Sequence, residues 1–340
     1  MWILWIVGIL VALVGLRLFC KGASNRHRPD LTGKVAVVIG GTAGIGVETA
    51  RGLAKMGARV IITGRNKEKA ALVITSINAE NTYQGKKVVP VVFMKSDLSD
   101  LGALKTFAAE LGQQVPQINL LINNAGLISP EMKKTKEGLE MTMGSNFVGP
   151  MYLTHLLMPL LKKSQQSRII NVASIGYIWG MNLKQNDTSD FLLKNLQPEE
   201  YSSFKVYTKS KLGNVYFTSK LAELLEKSGQ TDIKTASLHP GAVRTDISRD
   251  YTGILKLIYE AMMPILWIIM KTNSEGSQTT LACCCMPFEK LFNGAFYSEC
   301  KPYSMAAVGK DQDRREKVWR LAADEIKRLT GESIFSDIDK

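Results

Sequence analysis

The chain opens with a long apolar run. Residues 1–16 (MWILWIVGILVALVGL) carry no charged side chain, and three apolar residues follow Arg17. The run reaches the length of about 20 residues that a membrane-spanning helix needs, provided that the Arg17 side chain extends to the interface. Because no basic start or small-residue cleavage site is evident, we expect residues 1–20 to be an uncleaved membrane anchor, with a cleaved signal peptide as the alternative.

A basic segment follows the apolar run. Residues 21–30 include Lys21, Arg26 and Arg28, whereas no charged side chain precedes the apolar run. Positive charge collects on the cytosolic side of a membrane segment. We therefore expect a basic linker at 21–30 and a following domain in the cytosol.

The pattern then changes to that of a buried parallel sheet. Val35–Ile39 is an uninterrupted run of β-forming residues, which is typical of a strand buried on both faces. A glycine-rich turn at 40–46, a helical stretch to about Met56 and a second strand at Arg59–Thr63 complete a βαβ unit. Glycines in such a turn let the backbone approach a phosphate at a helix N-terminus, although a purely structural tight turn is the alternative.

Four further strands alternate with helical stretches. Each ends in small or polar residues, at the edge where open parallel sheets bind ligands. Since no linker separates a second globular unit, the sequence predicts one Rossmann-like, doubly wound α/β domain over residues 31–335. The four strands are expected at Val88–Met94, Ile118–Ile122, Arg168–Val172 and Ile233–Leu238.

The end of the second strand distinguishes two nucleotide cofactors. An acidic residue there would bind ribose hydroxyls and repel a 2′-phosphate. The sequence instead has Gly64 followed by Arg65, whose guanidinium can bind a phosphate with two hydrogen bonds. This favours NADP over NAD, unless Arg65 is an ordinary loop cation.

Composition excludes several other classes. The 340 residues carry a net charge of +12, but the lysines are scattered and no basic run is interleaved with aromatic residues, so nucleic acid is not an expected partner. Five cysteines, three of them consecutive, suit neither a disulfide framework nor a zinc site. His155 and His239 are interpreted as packing residues, and no metal site is predicted.

A tyrosine and a lysine four residues apart on a helix lie on one face, where the ammonium group favours the phenolate and lowers its pKa. The chain has five such pairs, so spacing alone decides nothing. Only Tyr207 and Lys211 also have Ser210 and Asn214 on the same helix face and follow a strand that delivers Ser174. The tyrosines of the other four pairs, expected to be surface or packing residues, are Tyr83, Tyr201, Tyr216 and Tyr297.

Several motifs of the chain resemble those of the short-chain dehydrogenase/reductase family and occur in the same order as in that family. They are Gly40-x-x-x-Gly44-Ile45-Gly46, Asp97-Leu98, Asn123-Asn124-Ala125-Gly126, Asn146, Ser174, Tyr207-x-x-x-Lys211 and Pro240-Gly241. Within the family the chain is most similar to membrane-anchored retinol dehydrogenases, on the basis of Gly64-Arg65-Asn66, His239-Pro240-Gly241-x-Val243-x-Thr245 and Phe296-Tyr297-Ser298-x-Cys300. Two departures are Ile39 before the first glycine and Ala173 beside Ser174.

The resemblance implies roles for individual residues. Tyr207 would be the general acid or base, Ser174 would bind the substrate oxygen, and Lys211 would lower the tyrosine pKa and hold the nicotinamide ribose. Asn146 would hold a water that connects Lys211 to solvent, or else be a structural cap or kink residue. The implied cofactor-binding residues are Gly40, Thr42, Gly44, Ile45, Gly46, Arg65, Asp97, Leu98, Asn124, Ala125, Gly126, Tyr207, Lys211, Pro240, Gly241, Val243 and Thr245.

A second apolar stretch covers residues 253–270. Pro264 and Glu260 interrupt it, so spanning a membrane is not expected. In relatives this region covers the substrate, and its methionines and aromatic residues suit a flexible lid, with an ordinary core helix as the alternative.

The leading functional prediction is an NADP(H)-dependent oxidoreductase of lipid metabolism acting on a lipophilic alcohol or carbonyl, similar to retinol or retinal. Steroid, polyprenoid or xenobiotic carbonyl substrates are alternatives, and a catalytically silent nucleotide-binding scaffold is an alternative of another class. We expect attachment to the endoplasmic reticulum membrane through the anchor, with the catalytic domain facing the cytosol, and leave a homodimer open.

Overall fold

An eight-stranded sheet forms the centre of the structure, a computed structural model that describes residues 2–83, 90–181, 188–244, 263 and 266–339. The strand order is β3-β2-β1-β4-β5-β6-β7-β8, and all neighbours pair in parallel except β7 and β8. This order confirms the doubly wound fold predicted from the sequence. The strands are β1 Val35–Ile39, β2 Arg59–Gly64, β3 Val92–Lys95, β4 Leu120–Asn123, β5 Ser167–Val172, β6 Ile233–His239, β7 Ala295–Ser298 and β8 Lys301–Pro302.

Helices cover both faces of the sheet. Alternate residues of β1 belong to different cores: Val35, Val37 and Ile39 pack on one side, and Ala36 and Val38 pack on the other. This two-sided burial is the reason why the strand sequence is uniformly apolar. The helices are α1 Trp2–Lys21, α2 Gly44–Lys55, α3 Lys67–Tyr83, α4 Leu101–Gln114, α5 Met141–Met143, α6 Gly149–Lys162, α7 Ser203–Lys227, α8 Asn273–Gly276, α9 Gln278–Cys285, α10 Ala307–Lys310 and α11 Gln312–Thr330.

Several strand boundaries differ from those predicted, two of them by more than one residue. β3 begins at Val92 rather than Val88, although residues 84–89 lie outside the described residues. β4 begins at Leu120, because the Asn119 side chain accepts a hydrogen bond from the Val35 amide at 2.9 Å and donates one to Ser164 at 2.6 Å. The two largest differences lie at the starts of β3 and β4, and the other boundaries agree with the prediction to within one residue.

The N-terminal apolar segment is helical, as α1. In the part of the chain that the structure describes, no helix has the length and apolar character required to cross a membrane. Arg17 does not extend away from the protein as expected: its Nη2 donates to both carboxylate oxygens of Glu275, at 2.6 Å each. The chain beyond α1 is held in the same region, since the amide of Ala23 donates to Glu299 at 2.6 Å.

The C-terminal segment closes one of the two cores. α11 ends at Thr330 with Gly331 as its C-cap, and the following turn buries Phe335 against Phe217, Trp319 and His155. The Nδ1 atom of His155 accepts the Phe335 amide at 3.1 Å, so His155 is a packing residue as expected. The core extends beyond the predicted boundary at residue 335, because Ile338 is also buried.

Candidate active site

A cleft of about 460 Å³ lies at the carboxyl ends of the parallel strands. The strand order changes direction between β1 and β4, which is where open α/β sheets bind ligands. The cleft brings together all the predicted site residues except two, Gly46 and Thr245. The predicted residues that line it are Gly40, Thr42, Gly44, Ile45, Arg65, Asp97, Leu98, Asn124, Ala125, Gly126, Asn146, Ser174, Tyr207, Lys211, Pro240, Gly241 and Val243.

The turn after β1 requires its glycines. Gly40 has a φ of 79°, and a Cβ atom there would lie 2.7 Å from the Cα of Ala125. A Cβ at Gly46 would lie 2.2 Å from the carbonyl oxygen of Gly40. Gly46 therefore lies beneath the turn and supports it, rather than lining the cleft as predicted. Thr245 lies outside the described residues.

Helix α2 begins in this turn and directs its amino end into the cleft. The residue before it, Ala43, has no side chain able to cap the first amide groups. These unpaired N–H groups and the positive end of the helix dipole favour an anion. The turn therefore has both the space and the charge that a phosphate requires.

One end of the cleft is basic and lies past β2. Arg65 is exposed there. Asp97 lines the same region, but its carboxylate is partly engaged, because Oδ1 accepts hydrogen bonds from the amide and hydroxyl of Ser99 at 3.0 and 2.7 Å. The hydroxyl of Ser96 is buried there without a hydrogen-bond partner among the described residues.

The turn after β4 is held by Asn146, which lies in a π-helical turn at Gly144–Val148 between α5 and α6. Its amide group accepts from the Leu127 amide and donates to the Leu127 carbonyl, both at 2.9 Å, and donates to Ser210 at 3.1 Å. π-turns within helices often occur at functional sites. These contacts make Asn146 a positioning residue for the turn, while its predicted role in holding a water stays a prediction.

Ser174, Tyr207 and Lys211 converge at the other end of the cleft. Ser174 lies two residues after the end of β5, and its hydroxyl accepts the Gly176 amide at 3.1 Å and hydrogen-bonds with Tyr207. Lys211 lies one turn after Tyr207 on α7, with its Nζ 5.6 Å from the tyrosine ring centroid. The lysine also donates to the Val172 carbonyl at 2.9 Å, which links α7 to the end of β5.

The electrostatics of this group differ from the sequence-based expectation. Burial raises the pKa of Tyr207 above its usual value, and the hydrogen bond from Ser174 opposes this only in part. Burial also lowers the pKa of Lys211 to about 8. The net direction of the Tyr207 shift is therefore opposite to the one expected from the sequence, because desolvation is its largest cause, while the effect of Lys211 on that pKa stays a prediction.

The competing tyrosine–lysine pairs lie elsewhere. The hydroxyl of Tyr201 donates to the Ser129 carbonyl, and that of Tyr216 donates to the Val308 carbonyl, both at 2.7 Å. Tyr297 is fully buried and accepts the Phe292 amide at 2.9 Å. These three tyrosines are packing residues, and the side chain of Tyr83 lies outside the described residues.

His239 ends β6 and lines the cleft, next to Pro240 and Gly241. Burial, and then the charge of Lys271, lower its pKa to about 4, so its imidazole is neutral near pH 7. Its Nδ1 atom is buried without a partner among the described residues. A polar atom of this kind is suited to a ligand in the cleft.

Some residues that line the cleft were not predicted as site residues from the sequence. They are Ala43, Leu127, Ile128, Ser145, His239 and Met270. Ala43, Leu127 and Ile128 adjoin predicted motifs, so extending each motif by a residue or two would have found them. Met270 ends the predicted lid at 253–270, of which the structure describes only residues 263 and 266–270. Within this part Trp267 is 60% exposed, and its ring lies 4.1 Å below the Arg244 guanidinium.

No cluster of metal-ligating side chains occurs within the described ranges. All five cysteines are free thiols, and the three consecutive ones are buried. Neither observation adds a second chemical centre beside the cleft.

Comparisons with known proteins agree with this geometry. The family described as short chain dehydrogenase matches residues 34–182. Retinol dehydrogenase 11 of Mus musculus is 36% identical over 87% of both chains, and retinol dehydrogenase 12 of Homo sapiens is 34% identical over 91% of both.

Solved structures agree at the level of the fold. An uncharacterized protein from Mycobacterium paratuberculosis superposes with a TM-score of 0.68 at 24% identity, covering 92% of this chain and 99% of that one. The Pseudomonas aeruginosa RhlG/NADP active-site complex superposes with a TM-score of 0.58 at 22% identity, covering 78% and 94%. The cleft, its three convergent side chains and the extent of these matches lead to one conclusion: the chain belongs to the short-chain dehydrogenase/reductase family of oxidoreductases that bind a nicotinamide dinucleotide, and it is related to the retinol dehydrogenases.

Proposed function

We propose that the protein transfers a hydride between NADP(H) and a lipophilic alcohol or carbonyl compound similar to retinol or retinal. One observation carries the proposal. Ser174, Tyr207 and Lys211 meet at one end of the cleft, and the glycine turn and Arg65 lie along its continuation. The proton-transfer groups and the nucleotide-binding surface therefore share one cavity.

The described residues fit a dinucleotide. The turn at Gly40 leaves no room for a side chain, and the uncapped start of α2 faces the cleft, so this region suits the pyrophosphate. Lys211, at the far end, would hold the nicotinamide ribose. The unpaired Nδ1 of His239 lies at the same end and supplies a further polar contact.

NADP is the proposed form of the cofactor because of the residues past β2. Arg65 is exposed and lines the cleft, where its guanidinium can form two hydrogen bonds to a 2′-phosphate. Gly64 brings no carboxylate to the position that would repel such a phosphate. The names of the related retinol dehydrogenases do not distinguish NADP from NAD, so this proposal rests on the Arg65 and Gly64 positions.

The bound cofactor supplies or accepts the hydride. In reduction, Tyr207 donates its hydroxyl proton to the substrate oxygen. Its raised pKa keeps that proton in place at neutral pH. Ser174 binds the same oxygen and fixes its position beside the phenol. The Lys211 ammonium, held by the Val172 carbonyl, stabilises the negative charge that the phenol acquires as the proton leaves.

A lipophilic substrate is favoured by the surroundings of the catalytic group. Trp179 follows Ser174 closely and Phe204 precedes Tyr207 by less than one helical turn. These rings are 60% and 57% exposed, and their centroids lie 6.1 Å apart. Met270 lines the cleft itself, and apolar surfaces of these kinds suit a retinoid, a polyprenoid or a steroid.

Membrane attachment through α1 is part of the proposal, at the endoplasmic reticulum with the catalytic domain in the cytosol. The exposed face of the helix includes Trp2, Trp5 and Phe19, a density of aromatic and aliphatic side chains that suits a bilayer. The names of the relatives are consistent with lipophilic substrates, which partition into membranes.

Tyr207→Phe tests the chemistry. We expect kcat for NADPH-dependent reduction of retinal to fall by about 10²–10⁴-fold, since the general acid is lost. The assay is NADPH oxidation by detergent-purified protein with retinal, a polyprenal, steroid ketones and small aldehydes. Tyr216→Phe is the matched control, because that hydroxyl is buried and bonded to the Val308 carbonyl. Equal rates in wild type and Tyr207→Phe, or no turnover of any substrate by wild type, would instead support the silent nucleotide-binding scaffold.

Arg65→Ala tests the cofactor. Loss of a bidentate contact to a phosphate removes about 1.5–3 kcal/mol, so KM for NADPH should rise about tenfold to a hundredfold. KM for NADH should stay nearly constant. Lys317→Ala, an exposed cation on α11, is the charge-matched control. A parallel rise in both KM values would show that Arg65 does not contact the 2′-phosphate.

The pH dependence tests Lys211. With its pKa lowered to about 8, the ammonium form predominates below that pH and is lost as the pH rises through it. Tyr207 keeps its proton over the same interval, because its pKa is raised. We expect kcat/KM for NADPH to decline above about pH 8, with circular dichroism confirming that the fold persists. A profile that stays flat to pH 10 would exclude the buried amine as the titrating group.

Deletion of residues 2–16 tests membrane attachment. This truncation keeps Arg17 and its contact with Glu275. We expect the full chain to sediment with membranes in high salt and the truncated chain to stay in the supernatant with its activity on a small aldehyde retained. Recovery of both chains in the same fraction would show that α1 is not the attachment.

A further inference from the structure

A second cavity lies at the amino ends of the parallel strands, on the side opposite the catalytic cleft. Its volume is about 510 Å³, within the usual range for ligand pockets. It is bounded by the amino ends of β1, β4 and β5 together with residues 26–31 and 284–288. Strands of five or six residues at about 3.3 Å per residue place it roughly 15–20 Å from the catalytic group, so it is not part of the nucleotide site.

Arg168 forms the buried wall of this cavity. It is only 8% exposed, and its guanidinium donates to the carbonyl oxygens of Cys283 at 2.8 Å and Met286 at 2.6 Å. It also lies 5.7 Å from the ring centroid of Phe288. These contacts fix the side chain but are made to neutral groups. The Glu289 carboxylate is near enough to interact with the guanidinium electrostatically, but no salt bridge joins Arg168 to a described carboxylate. A buried cation held in this way is a strong partner for an anion.

The rim of the cavity adds three more cations. Arg26, Arg28 and Lys34 are exposed and line its mouth, whereas Asp30 is the one acidic residue among the lining side chains. No salt bridge is recorded for Arg26 or Lys34 within the described ranges. Four cations facing one carboxylate give the cavity a strongly positive field, which suits an anion of more than one charge.

The remaining walls are mixed: His27, Asn119, Gln165 and Gln166 contribute polar side chains, and the other lining residues are mainly apolar. Leu31, Leu120, Met286 and Pro287 line the interior between the basic rim and Arg168. Leu31 and Leu120 are buried in the core that packs beneath the sheet. A small inorganic anion would leave these surfaces without a partner, whereas an apolar chain attached to the anion would cover them.

We propose that this cavity binds a phosphate group carried on an apolar chain. The phosphate would lie between the rim cations and Arg168, and the chain would lie along Leu31 and Leu120. Such a molecule comes either from a bilayer, as a phospholipid, or from solution, as a soluble phosphorylated amphiphile. The cavity begins five residues after the end of α1, so a lipid held there would lie close to the proposed membrane attachment.

Binding of dodecyl phosphate to the full chain tests the proposal, measured by isothermal titration calorimetry below the critical micelle concentration. We expect saturable binding by wild type and a loss of about tenfold or more in Arg26→Gln/Lys34→Gln, since two charge-assisted contacts are removed. Lys317→Gln/Lys327→Gln removes the same charge from exposed positions on α11 and should bind as wild type does. Inorganic phosphate should bind more weakly than dodecyl phosphate.

Flotation with phosphatidylcholine vesicles, with and without phosphatidic acid, identifies the source. Loss of the preference for phosphatidic acid in Arg26→Gln/Lys34→Gln alone assigns the site to a bilayer lipid, and an unchanged preference assigns it to a soluble amphiphile. The proposal is overturned if dodecyl phosphate shows no saturable binding, if both double variants lose equal affinity, or if dodecyl maltoside binds as tightly as dodecyl phosphate.

Both double variants should keep wild-type oxidoreductase rates on a small aldehyde, because neither pair touches the catalytic cleft. Failure of the phosphate site is therefore distinguishable from failure of the proposed catalytic function.

Discussion

The close approach of two backbone turns is the constraint on which the active site depends. The turn after β1 and the turn after β4 touch so closely that Gly40 has no space for a side chain beside Ala125. The amides of Asn124 and Ala125 donate to the Ile39 carbonyl at 3.2 and 2.8 Å, and the Asn124 side chain donates to the Gly40 carbonyl at 3.1 Å. These bonds fix the floor of the cleft from both sides. The glycine turn after β1 and the Ser174 side chain after β5 therefore lie at strand ends of one sheet, on either side of β4.

Burial of the catalytic group has opposite consequences for its two titratable residues. Desolvation raises the pKa of Tyr207, so the phenol keeps its proton. It lowers the pKa of Lys211, so the ammonium group loses its proton more easily. A neutral phenol beside an amine that titrates near neutral pH is suited to donating a proton and restoring it. Ser174 acts in the opposite sense, because its hydrogen bond to Tyr207 favours the phenolate. The protonation states of Tyr207 and Lys211 are therefore set by their depth in the protein as much as by their neighbours.

The parts that sequence predicted well are those encoded in short stretches. The apolar run at Val35–Ile39, the glycine turn and the Tyr207–Lys211 spacing are local patterns, and parallel strands bring their ends together at one edge. Contacts between distant segments left no such signal. Arg17 and Glu275 are separated by 258 positions, and nothing in either neighbourhood indicates their pairing. Degree of burial is equally non-local, which is why the net pKa shift of Tyr207 was predicted with the wrong sign.

The contact between Arg17 and Glu275 has a mechanical consequence. Glu275 belongs to a capping box with Thr272, and the next residue, Gly276, packs so tightly on Val243 that a Cβ there would come within 2.6 Å of that side chain. Val243 lines the catalytic cleft. One ion pair and one helix cap therefore connect α1 to the wall of the cleft at Val243. If α1 is fixed in a bilayer, this linkage sets the tilt and height at which the mouth of the cleft meets the lipid. The helix would then orient the domain as well as attach it to the membrane.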